Sequence, residues 1–291
     1  MKIFHHNDND GYCSAYWVLK KAKTTEEIQL YEMDYEKEFP FDEIEKDEEI
    51  YIVDYSILPE NMLKLLEITP NVTWIDHHQS AIKRYDDFPT DIRGIRYDGI
   101  AACLLTWCYL THMTDGGKGD IEEFNPSMGS DAPMFTKLIA DYDVWTFLYG
   151  ETTKEFQIGL SVEDRNPTSE LWDDLYDDWS EEYLSDICDD GAIMLKYHDS
   201  FAKEYCESKS YECKFEGFNC LCLNVGLGGS EYFENVDKEY DMYILYSFNG
   251  KNWNYSLRSD TVNVADVAMK YEGGGHPGAA GFVSDKLLLI P

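Results

Sequence analysis

A histidine and two aspartates alternate near the start of the chain, in a spacing that can bring all three side chains into one site. The residues are His6, Asp8 and Asp10, and Gly11 lets the backbone turn directly after them. One imidazole and two carboxylates suit a divalent cation such as Mn²⁺. An N-terminal helix cap would explain one aspartate, but not the alternation of all three residues. The segment therefore predicts part of a metal site that distant residues complete.

A second segment places a carboxylate and two imidazoles directly after an apolar run. The triplet Asp76-His77-His78 follows Val72–Ile75, and polar groups at the end of a buried strand are costly without a partner. His77 and His78 can supply imidazole ligands or a proton donor. Asp76 can orient one of the rings, as metal-bound histidines usually require. An exposed polar turn is the alternative interpretation.

Three further aspartates stand where they could complete such a site. Asp54 follows the apolar run Ile50–Val53, and with ligands on both sides it could bridge two ions. Asp141 and Asp143 lie two residues apart near a helix end, so they would not both face one point on a regular helix. We expect one of them to point inward. The nearby Trp145 is expected in the core rather than as a stacking platform.

The elements that must position these residues alternate along the first half of the chain. Predicted strands and helices follow one another at Lys2–His5, Gly11–Lys23, Ile28–Met33, Glu49–Val53, Pro59–Glu67, Val72–Ile75 and Asp98–His112. This alternation predicts an α/β fold with a parallel sheet and helices on both faces. Ligands bind beyond the carboxyl ends of the strands in such sheets. We therefore expect the motifs that follow the strands to converge.

The second half of the chain predicts a smaller α+β domain. Asn249-Gly250 lies between two apolar runs, which is a strong hairpin signal. The acidic segment 168–190, with Trp172 and Trp179, is interpreted as a solvated linker helix. The predicted division is a catalytic domain at 1–165, a helical connector at 166–205 and a substrate-binding domain at 206–291.

A glycine-rich segment near the end of the chain predicts an anion site. Gly273–Gly281 contains a central histidine, His276, and such loops expose backbone amides that can hold phosphate oxygens. The segment is preceded by Ser256, Arg258 and Ser259, which add hydroxyl and guanidinium donors. The alternative interpretations are an ordinary turn and a surface arginine.

The charge of the chain limits its partners. Lys and Arg number 24 against 57 Asp and Glu, which gives a formal net charge of −33. Long nucleic acid binds largely through Lys and Arg on phosphates, so this composition argues against it. A phosphate-bearing substrate must be short, or must be attracted by local positive charge such as bound metal.

Cysteine usage and hydropathy predict a cytoplasmic location. The eight cysteines form no Cys-x-x-Cys pair, and we expect reduced thiols that pack as small apolar side chains. The sequence contains no run of 18 apolar residues, so no membrane span is expected. The first residues also lack the apolar region of a signal peptide.

With these motifs in order, the chain resembles the DHH phosphoesterase superfamily, in the branch that carries a C-terminal DHHA1 domain. The resemblance covers nearly the whole chain and rests on five ordered motifs: His6-x-Asp8-x-Asp10-Gly, Asp54, Asp76-His77-His78, Asp143, and Gly273-Gly-Gly-His-x-x-Ala-Ala-Gly-Phe282. Within the superfamily the chain is most similar to the short-oligonucleotide phosphodiesterases known as nanoRNases, and to their NrnB type more than to their NrnA type.

The resemblance implies a site for two Mn²⁺ ions, with Mg²⁺ or Co²⁺ as substitutes. The first ion would be held by His6, Asp8 and Asp54. The second would be held by Asp10, Asp54, His77 and Asp143, with Asp141 in reserve for the last. The catalytic residues would be Asp54, Asp76 and His78. Substrate would be bound by His78, Arg258, Ser259, Gly274, Gly275 and His276.

The implied function is the hydrolysis of short oligonucleotides to nucleoside 5′-monophosphates by a two-metal mechanism. Cyclic dinucleotides and 3′-phosphoadenosine 5′-phosphate are alternative substrates. A manganese inorganic pyrophosphatase, against which the glycine-rich segment argues, and a non-catalytic protein that sequesters nucleotides are the other hypotheses. The expected partners are a dinucleotide or short oligonucleotide, with no long nucleic acid and no membrane, and a homodimer is compatible with the sequence.

Overall fold

The computed structural model describes most of the chain, which divides into two compact units at residues 1–194 and 195–291. The described residues are 1–21, 27–34, 37–112, 125–177, 180–226, 228–234 and 236–289, with the backbone alone for Ser180, Ser230 and His276. The predicted division into a catalytic domain, a connector and a substrate-binding domain concerns function and stays a prediction.

The first unit is built on a parallel sheet. Its first elements are β1 (Lys2–His6), α1 (Asn9–Lys21), β2 (Gln29–Met33), β3 (Ile50–Val53), α2 (Pro59–Ile68), β4 (Val72–Ile75), α3 (Gln79–Arg84) and α4 (Ala102–His112). Within the described residues the sheet has four strands in the order β2-β1-β3-β4, and all pairs are parallel. The central strands β1 and β3 are buried almost throughout because both faces of the sheet are covered.

Successive residues of each strand pack against different helices, because side chains alternate across a sheet. On one face, Phe4, Ile52 and Trp74 share a cluster with Met62 and Leu65 on the apolar side of α2. On the other face, the central strands contact α1 and α4; this cluster includes Ile3, Val53, Ile75, Ala15, Val18 and Leu105. The predicted α/β fold with helices on both faces is confirmed.

A layer of helices extends the first unit beyond the sheet. It consists of α5 (Met134–Asp143), α6 (Glu151–Gly159), α7 (Glu170–Asp174) and the start of α8 (Ser180–Lys209). Trp17 stacks on Phe135, with ring centroids 5.6 Å apart, and Trp172 stacks on Tyr16 at 5.8 Å. Trp172 is fully buried.

The interpretation of the acidic segment 168–190 as a solvated linker is therefore wrong. Leu171 and Trp172 enter the core of the first unit, and Ile187 belongs to the same cluster. Most of the acidic residues between them are exposed. The few apolar residues of the segment face the core of the first unit, and the acidic residues face the solvent. Trp179 lies outside the described residues.

The second unit is a mixed sheet with helices packed against it. Its elements are the end of α8, β5 (Tyr211–Phe215), β6 (Phe218–Asn224), β7 (Met242–Phe248), β8 (Trp253–Arg258), α9 (Val264–Met269), β9 (Gly274–His276) and β10 (Ala279–Ser284). The described strands follow the order β5-β6-β7-β8-β10-β9. The hairpin predicted at Asn249-Gly250 is confirmed, since β7 and β8 pair antiparallel around it.

Two sequence expectations concern the whole chain. All eight cysteines are free thiols, and six of them are buried, as expected for cysteines that pack as small apolar side chains. Among the residues that the structure describes, no helix is long and apolar enough to cross a membrane.

Candidate metal centre

The order of the strands creates a crevice at the carboxyl end of the sheet. The chain leaves β1 toward β2 on one side, whereas β3 leads to β4 on the other side. Connections that diverge in this way leave an opening between the two central strands, which is where open α/β sheets bind ligands. The motif at 6–10 follows β1, Asp54 follows β3 and the triplet at 76–78 follows β4, so all three meet at this opening.

Asp54 lies at the centre of the crevice without a hydrogen-bond partner. Its side chain is buried, the residue being only 1% exposed, and neither carboxylate oxygen has a partner among the described residues. Its backbone is left-handed, with a φ of 53°, which costs energy for any residue other than glycine. Because buried charges are normally paired, this carboxylate is a candidate ligand for a cation.

The imidazole of His77 lies close to three of the carboxylates. Its Nε2 atom lies 3.3 Å from Asp54 Oδ1, 3.3 Å from Asp143 Oδ2 and 3.6 Å from Asp10 Oδ2. Burial lowers the pKa of His77, in spite of the opposing charge of Asp10. A neutral imidazole offers a lone pair, as a metal ligand must.

Asp10 is held rigidly by the start of α4. Its Oδ2 accepts a hydrogen bond from the Ala102 amide at 2.8 Å, and its Oδ1 accepts one from the Cys103 amide at 2.6 Å. Free amides at a helix N-terminus attract negative charge. The carboxylate thus caps a helix 92 residues away in sequence while it remains within reach of His77.

Asp8 combines the two roles that the sequence left open. Its Oδ1 accepts a hydrogen bond from the Gly11 amide at 2.9 Å, which is the geometry of a helix cap. Its Oδ2 lies 2.6 Å from His6 Nδ1, and this nitrogen is 3.8 Å from Asp54 Oδ2. Burial would raise the pKa of Asp8, but the hydrogen bond and charge of His6 and the Gly11 amide lower it to about 2.

Asp76 positions the histidines that follow it. Its Oδ1 accepts hydrogen bonds from the backbone amides of His77 and His78 at 2.7 and 3.1 Å, and it lies 2.7 Å from His78 Nδ1. Burial opposes the charged form of His78, but the hydrogen bond and charge of Asp76 prevail and raise the pKa of His78. The ring that Asp76 contacts, in the orienting role predicted for it, is therefore that of His78.

The two aspartates at the end of α5 point in different directions. Asp143 Oδ2 lies near His77 and has no hydrogen-bond partner among the described residues. Asp141 is turned away and accepts hydrogen bonds from the loop that follows; the donors are Thr146 Oγ1, the amides of Leu148 and Tyr149, and Thr153 Oγ1. The structure therefore brings Asp143, and not the reserve candidate Asp141, to the cluster.

The prediction that Trp145 lies in the core is wrong. Its side chain is exposed, at 61% of the reference area. The loop that Asp141 holds carries this residue outward, with a left-handed φ of 55°. Because α5 ends at Asp143, Trp145 lies in the loop and not on the helix.

The converging residues fit a site for divalent cations. Their ligand atoms form three groups, each within 4.8 Å: Asp54, His77 and His78; His6, Asp8 and Asp54; Asp10, His77 and Asp143. Burial, followed by the charges of neighbouring aspartates, raises the pKa of Asp54 and that of Asp143 well above the ordinary value. No Lys or Arg among the described residues pairs with Asp54 or Asp143. Carboxylates with imidazoles suit Mn²⁺ and similar ions.

Apart from His78, the residues predicted to bind substrate lie in the second unit. Arg258 Nη1 donates to Ser256 Oγ and to the Leu257 carbonyl, at 3.0 and 2.9 Å, and burial lowers its pKa. The Ser259 hydroxyl donates to the Asp241 carbonyl and accepts from two amides of its own turn. Ser259 therefore stabilises this turn, and its role toward a substrate stays a prediction.

The glycine-rich segment forms a tight hairpin instead of the expected open loop. β9 and β10 pair antiparallel, with Gly275 opposite Ala280 and Gly274 opposite Gly281. Gly275 has a φ of 141°, and a Cβ atom there would come within 2.5 Å of the Ala279 carbonyl oxygen. Glycine is thus required by the close backbone approach. The side chain of His276 lies outside what the structure describes.

The sequence did not point to several contacts that build the site. Arg165 Nη1 donates to Asn9 Oδ1 at 2.9 Å across 156 residues, and this brings a positive charge beside the turn between Asp8 and Asp10. No local pattern marks Arg165. The start of α4 did offer a signal, because Gly99, Ile100 and Ala101 supply no side chain that can cap it.

No family model matches the chain, and no curated protein does. Solved structures share its fold, and three of them are the following. A manganese-bound exonuclease RecJ is 13% identical over 98% of this chain and 85% of that one, with a TM-score of 0.54. RecJ from Thermus thermophilus in complex with Mn²⁺ is 15% identical over 98% of this chain and 49% of that one, with a TM-score of 0.52. The DHH domain of a member of the s1p family of ribosomal proteins is 12% identical over 97% of this chain and 82% of that one, with a TM-score of 0.51. At these identities the likeness concerns the fold, which this chain shares with RecJ and with that DHH domain.

Proposed function

We propose that this chain is a metal-dependent phosphodiesterase of the nanoRNase type in the DHH superfamily. It hydrolyses short oligonucleotides and releases nucleoside 5′-monophosphates. The observation that carries the proposal is the buried carboxylate of Asp54, which has no hydrogen-bond partner among the described residues and which two of the three ligand groups share. A carboxylate with one oxygen toward each group is suited to bridge two cations.

The ligand groups support an assignment of residues to two ions. One ion would be held by His6, Asp8 and Asp54. The other would be held by Asp10, Asp54, His77 and Asp143. Bound there, two divalent ions would stabilise charge on the phosphoryl oxygens and supply a nucleophile at neutral pH. We propose Mn²⁺, since the RecJ structure that shares this fold is described as bound to manganese.

The proposed role of His78 is to donate a proton or hydrogen bond to the substrate phosphate. Asp76 engages Nδ1 of this ring at 2.7 Å, which leaves Nε2 directed away from the carboxylate. The raised pKa of His78, which Asp76 causes against the effect of burial, increases the protonated fraction near neutral pH. A donor near the leaving oxygen is a typical contribution of general acid catalysis.

The charge of the chain supports a short substrate. With a net charge of −33, the surface repels a long polyanion, and strands of many nucleotides are normally held in a basic groove. A dinucleotide needs only the cations and a few donors. We propose that Arg258, Gly274, Gly275 and His276 of the second unit supply those donors, and that the enzyme works in the cytoplasm.

A substrate panel tests the proposal. The chain is incubated with Mn²⁺ and pApA, c-di-AMP, a 5-mer RNA, a 24-mer RNA or 3′-phosphoadenosine 5′-phosphate, and the products are identified by chromatography. We expect AMP from pApA and 5′-monophosphates from the 5-mer, with little turnover of the 24-mer. Turnover of c-di-AMP or 3′-phosphoadenosine 5′-phosphate alone would move the assignment to the alternative substrates. Tight nucleotide binding without any product would indicate a sequestering protein.

A pair of variants links any turnover to this site. His77→Gln removes an imidazole that lies close to three carboxylates and should abolish hydrolysis of pApA. His112→Gln, at the exposed end of α4 in the same unit, is the matched control and should keep it. Equal activity of the two variants would show that the observed hydrolysis arises elsewhere.

A further inference from the structure

Three aromatic rings form a patch in the chain segment around Asp143, the cluster residue at the end of α5. Tyr142 and Trp145 have ring centroids 5.9 Å apart, Trp145 and Phe147 5.4 Å, and Tyr142 and Phe147 6.0 Å. These three residues are the aromatic patch. Trp145 is 61% exposed, whereas Tyr142 and Phe147 are half-buried beside it, and apolar patches exposed on a protein surface are typical of binding sites.

The exposure of the patch is enforced by the backbone. Trp145 has a φ of 55° and Phe147 a φ of 49°, a conformation that bulky residues rarely adopt because it is strained. Strain of this kind persists only where the surroundings determine it, and it often accompanies function. Here the surroundings are the buried carboxylate of Asp141, whose hydrogen bonds to the loop hold the chain in this shape.

The patch is connected to the proposed reaction centre through Asp143. Asp143 separates Tyr142 from Trp145 in sequence, and its Oδ2 atom is 3.3 Å from His77 Nε2. Two residues of chain span at most about 7 Å, so the nucleoside that adjoins a phosphate held at the cluster would be within reach of this loop. A large exposed ring is the surface on which nucleobases stack, and such stacking tolerates any base because every base has a flat π face.

We propose that Trp145 is a stacking platform for the nucleobase next to the cleaved phosphate. The inference deepens the proposed function and rests on it for the identity of the substrate. The alternative is that a second copy of this chain covers the aromatic patch. The net charge of −33 on each copy opposes that association, whereas the ring of a base stacks on Trp145 without adding charge at the point of contact.

The test compares two ligands that differ only by the base. Binding of AMP and of ribose 5-phosphate to the full chain with Mn²⁺ is measured by calorimetry, and the ratio of their Kd values is the base margin. We expect a margin of about 5- to 150-fold for the native chain, as stacking of one base gives. Trp145→Ala should reduce the margin to near one, and Trp145→Phe, which keeps a ring, should retain most of it.

A matched control separates the ring from its apolar surroundings. Leu148 is 79% exposed in the same loop but has no ring, so Leu148→Ala should leave the margin unchanged. An equal loss in both alanine variants, or no margin in the native chain, would overturn the platform. Dissociation of a dimer by Trp145→Ala in sedimentation, with the margin intact, would also overturn it and would place a second copy on the patch.

The measurement is independent of catalysis. A native chain that shows the margin but hydrolyses no pApA would retain the platform and refute the proposed function. A chain that hydrolyses pApA with the same kcat/KM in the native and Trp145→Ala forms would retain the function and refute the platform. Where both hold, Trp145→Ala should raise KM for pApA and leave turnover of a dinucleotide without that base unaffected.

Discussion

Two buried aspartates in the first unit differ in almost everything except their burial. Asp54 and Asp141 are 1% and 4% exposed. Asp141 accepts hydrogen bonds from two hydroxyls and two amides, whereas neither oxygen of Asp54 has a hydrogen-bond partner among the described residues. Burial alone therefore does not identify the role of a carboxylate. A satisfied carboxylate organises the fold, and an unsatisfied one beside others indicates a site for cations.

The pKa values of the two residues shift in opposite directions. Burial and the charges of Asp10 and Asp8 raise the pKa of Asp54. Burial also acts against the charge of Asp141, but the hydroxyls of Thr146 and Thr153 and two amides overcome it and lower the pKa. The same substitution at the two residues should therefore have different effects.

The largest expected difference is in turnover. Asp54→Asn should lower kcat/KM for pApA with Mn²⁺ by at least about 10³-fold, as loss of a central active-site group does. Asp141→Asn, assayed well below its melting temperature, should keep activity within about tenfold, because its carboxylate lies outside the cluster. Steady-state kinetics on the two purified variants measures this. Comparable losses would mean that both residues serve the reaction.

The second difference is in the response to metal. Mn²⁺ at about 100 times its Kd should add about 2.7 kcal/mol to the free energy of unfolding, or about 5–10 °C in the melting temperature of a unit of this size. The native chain and Asp141→Asn should both show this shift, relative to samples with EDTA. Asp54→Asn should not, because the shared ligand is gone. A full shift in Asp54→Asn would remove the bridging role.

The third difference is in stability without metal. Asp141→Asn should lower the free energy of unfolding by about 2 kcal/mol, since hydrogen bonds to a charged group are lost or weakened. Asp54→Asn should leave stability unchanged or raise it, because it removes a buried carboxylate whose charged form burial and the neighbouring Asp10 and Asp8 disfavour. Denaturant unfolding in EDTA distinguishes these outcomes. Loss of stability in Asp54→Asn would indicate that its carboxylate is satisfied in the folded chain.

The smallest effects are in the pH dependence, and they have opposite signs. The folded pKa of Asp141 is lowered, so its stabilisation is complete above its unfolded value of about 4 and is lost as the pH falls through the folded pKa. The advantage of the native chain over Asp141→Asn should therefore shrink in acid. The folded pKa of Asp54 is raised, so in EDTA acidification should favour the native chain relative to Asp54→Asn. Unfolding curves from about pH 7 to about pH 3, across the usual range of carboxyl pKa values, test both slopes.

The sequence alone predicts part of the metal cluster, but not which of Asp141 and Asp143 belongs to it. His6, Asp54 and His77 could be placed together because each lies at the end of a strand, and parallel strands end at the same edge of a sheet. Asp141 and Asp143 could not be separated, because the choice depends on where α5 ends and on hydroxyls up to 12 residues further along. Periodicity describes one element at a time, whereas these contacts join several.

The two wrong predictions have a related cause. Trp145 and Trp172 are each large aromatic residues beside acidic ones, and local composition suggested burial for the first and solvent for the second. The structure exposes Trp145 and buries Trp172 completely. Long-range contacts decide both: the loop that Asp141 holds turns the first ring outward, and the Tyr16 ring covers the second at 5.8 Å.

All six proposed metal ligands, which are His6, Asp8, Asp10, Asp54, His77 and Asp143, come from the first unit. A ribosome therefore completes the set before it has made any part of residues 195–291. Domains generally fold as units, with the N-terminal one first during synthesis. Under the proposed function, the first unit could therefore bind manganese during synthesis. Recognition of the nucleotide by the second unit would become possible only later.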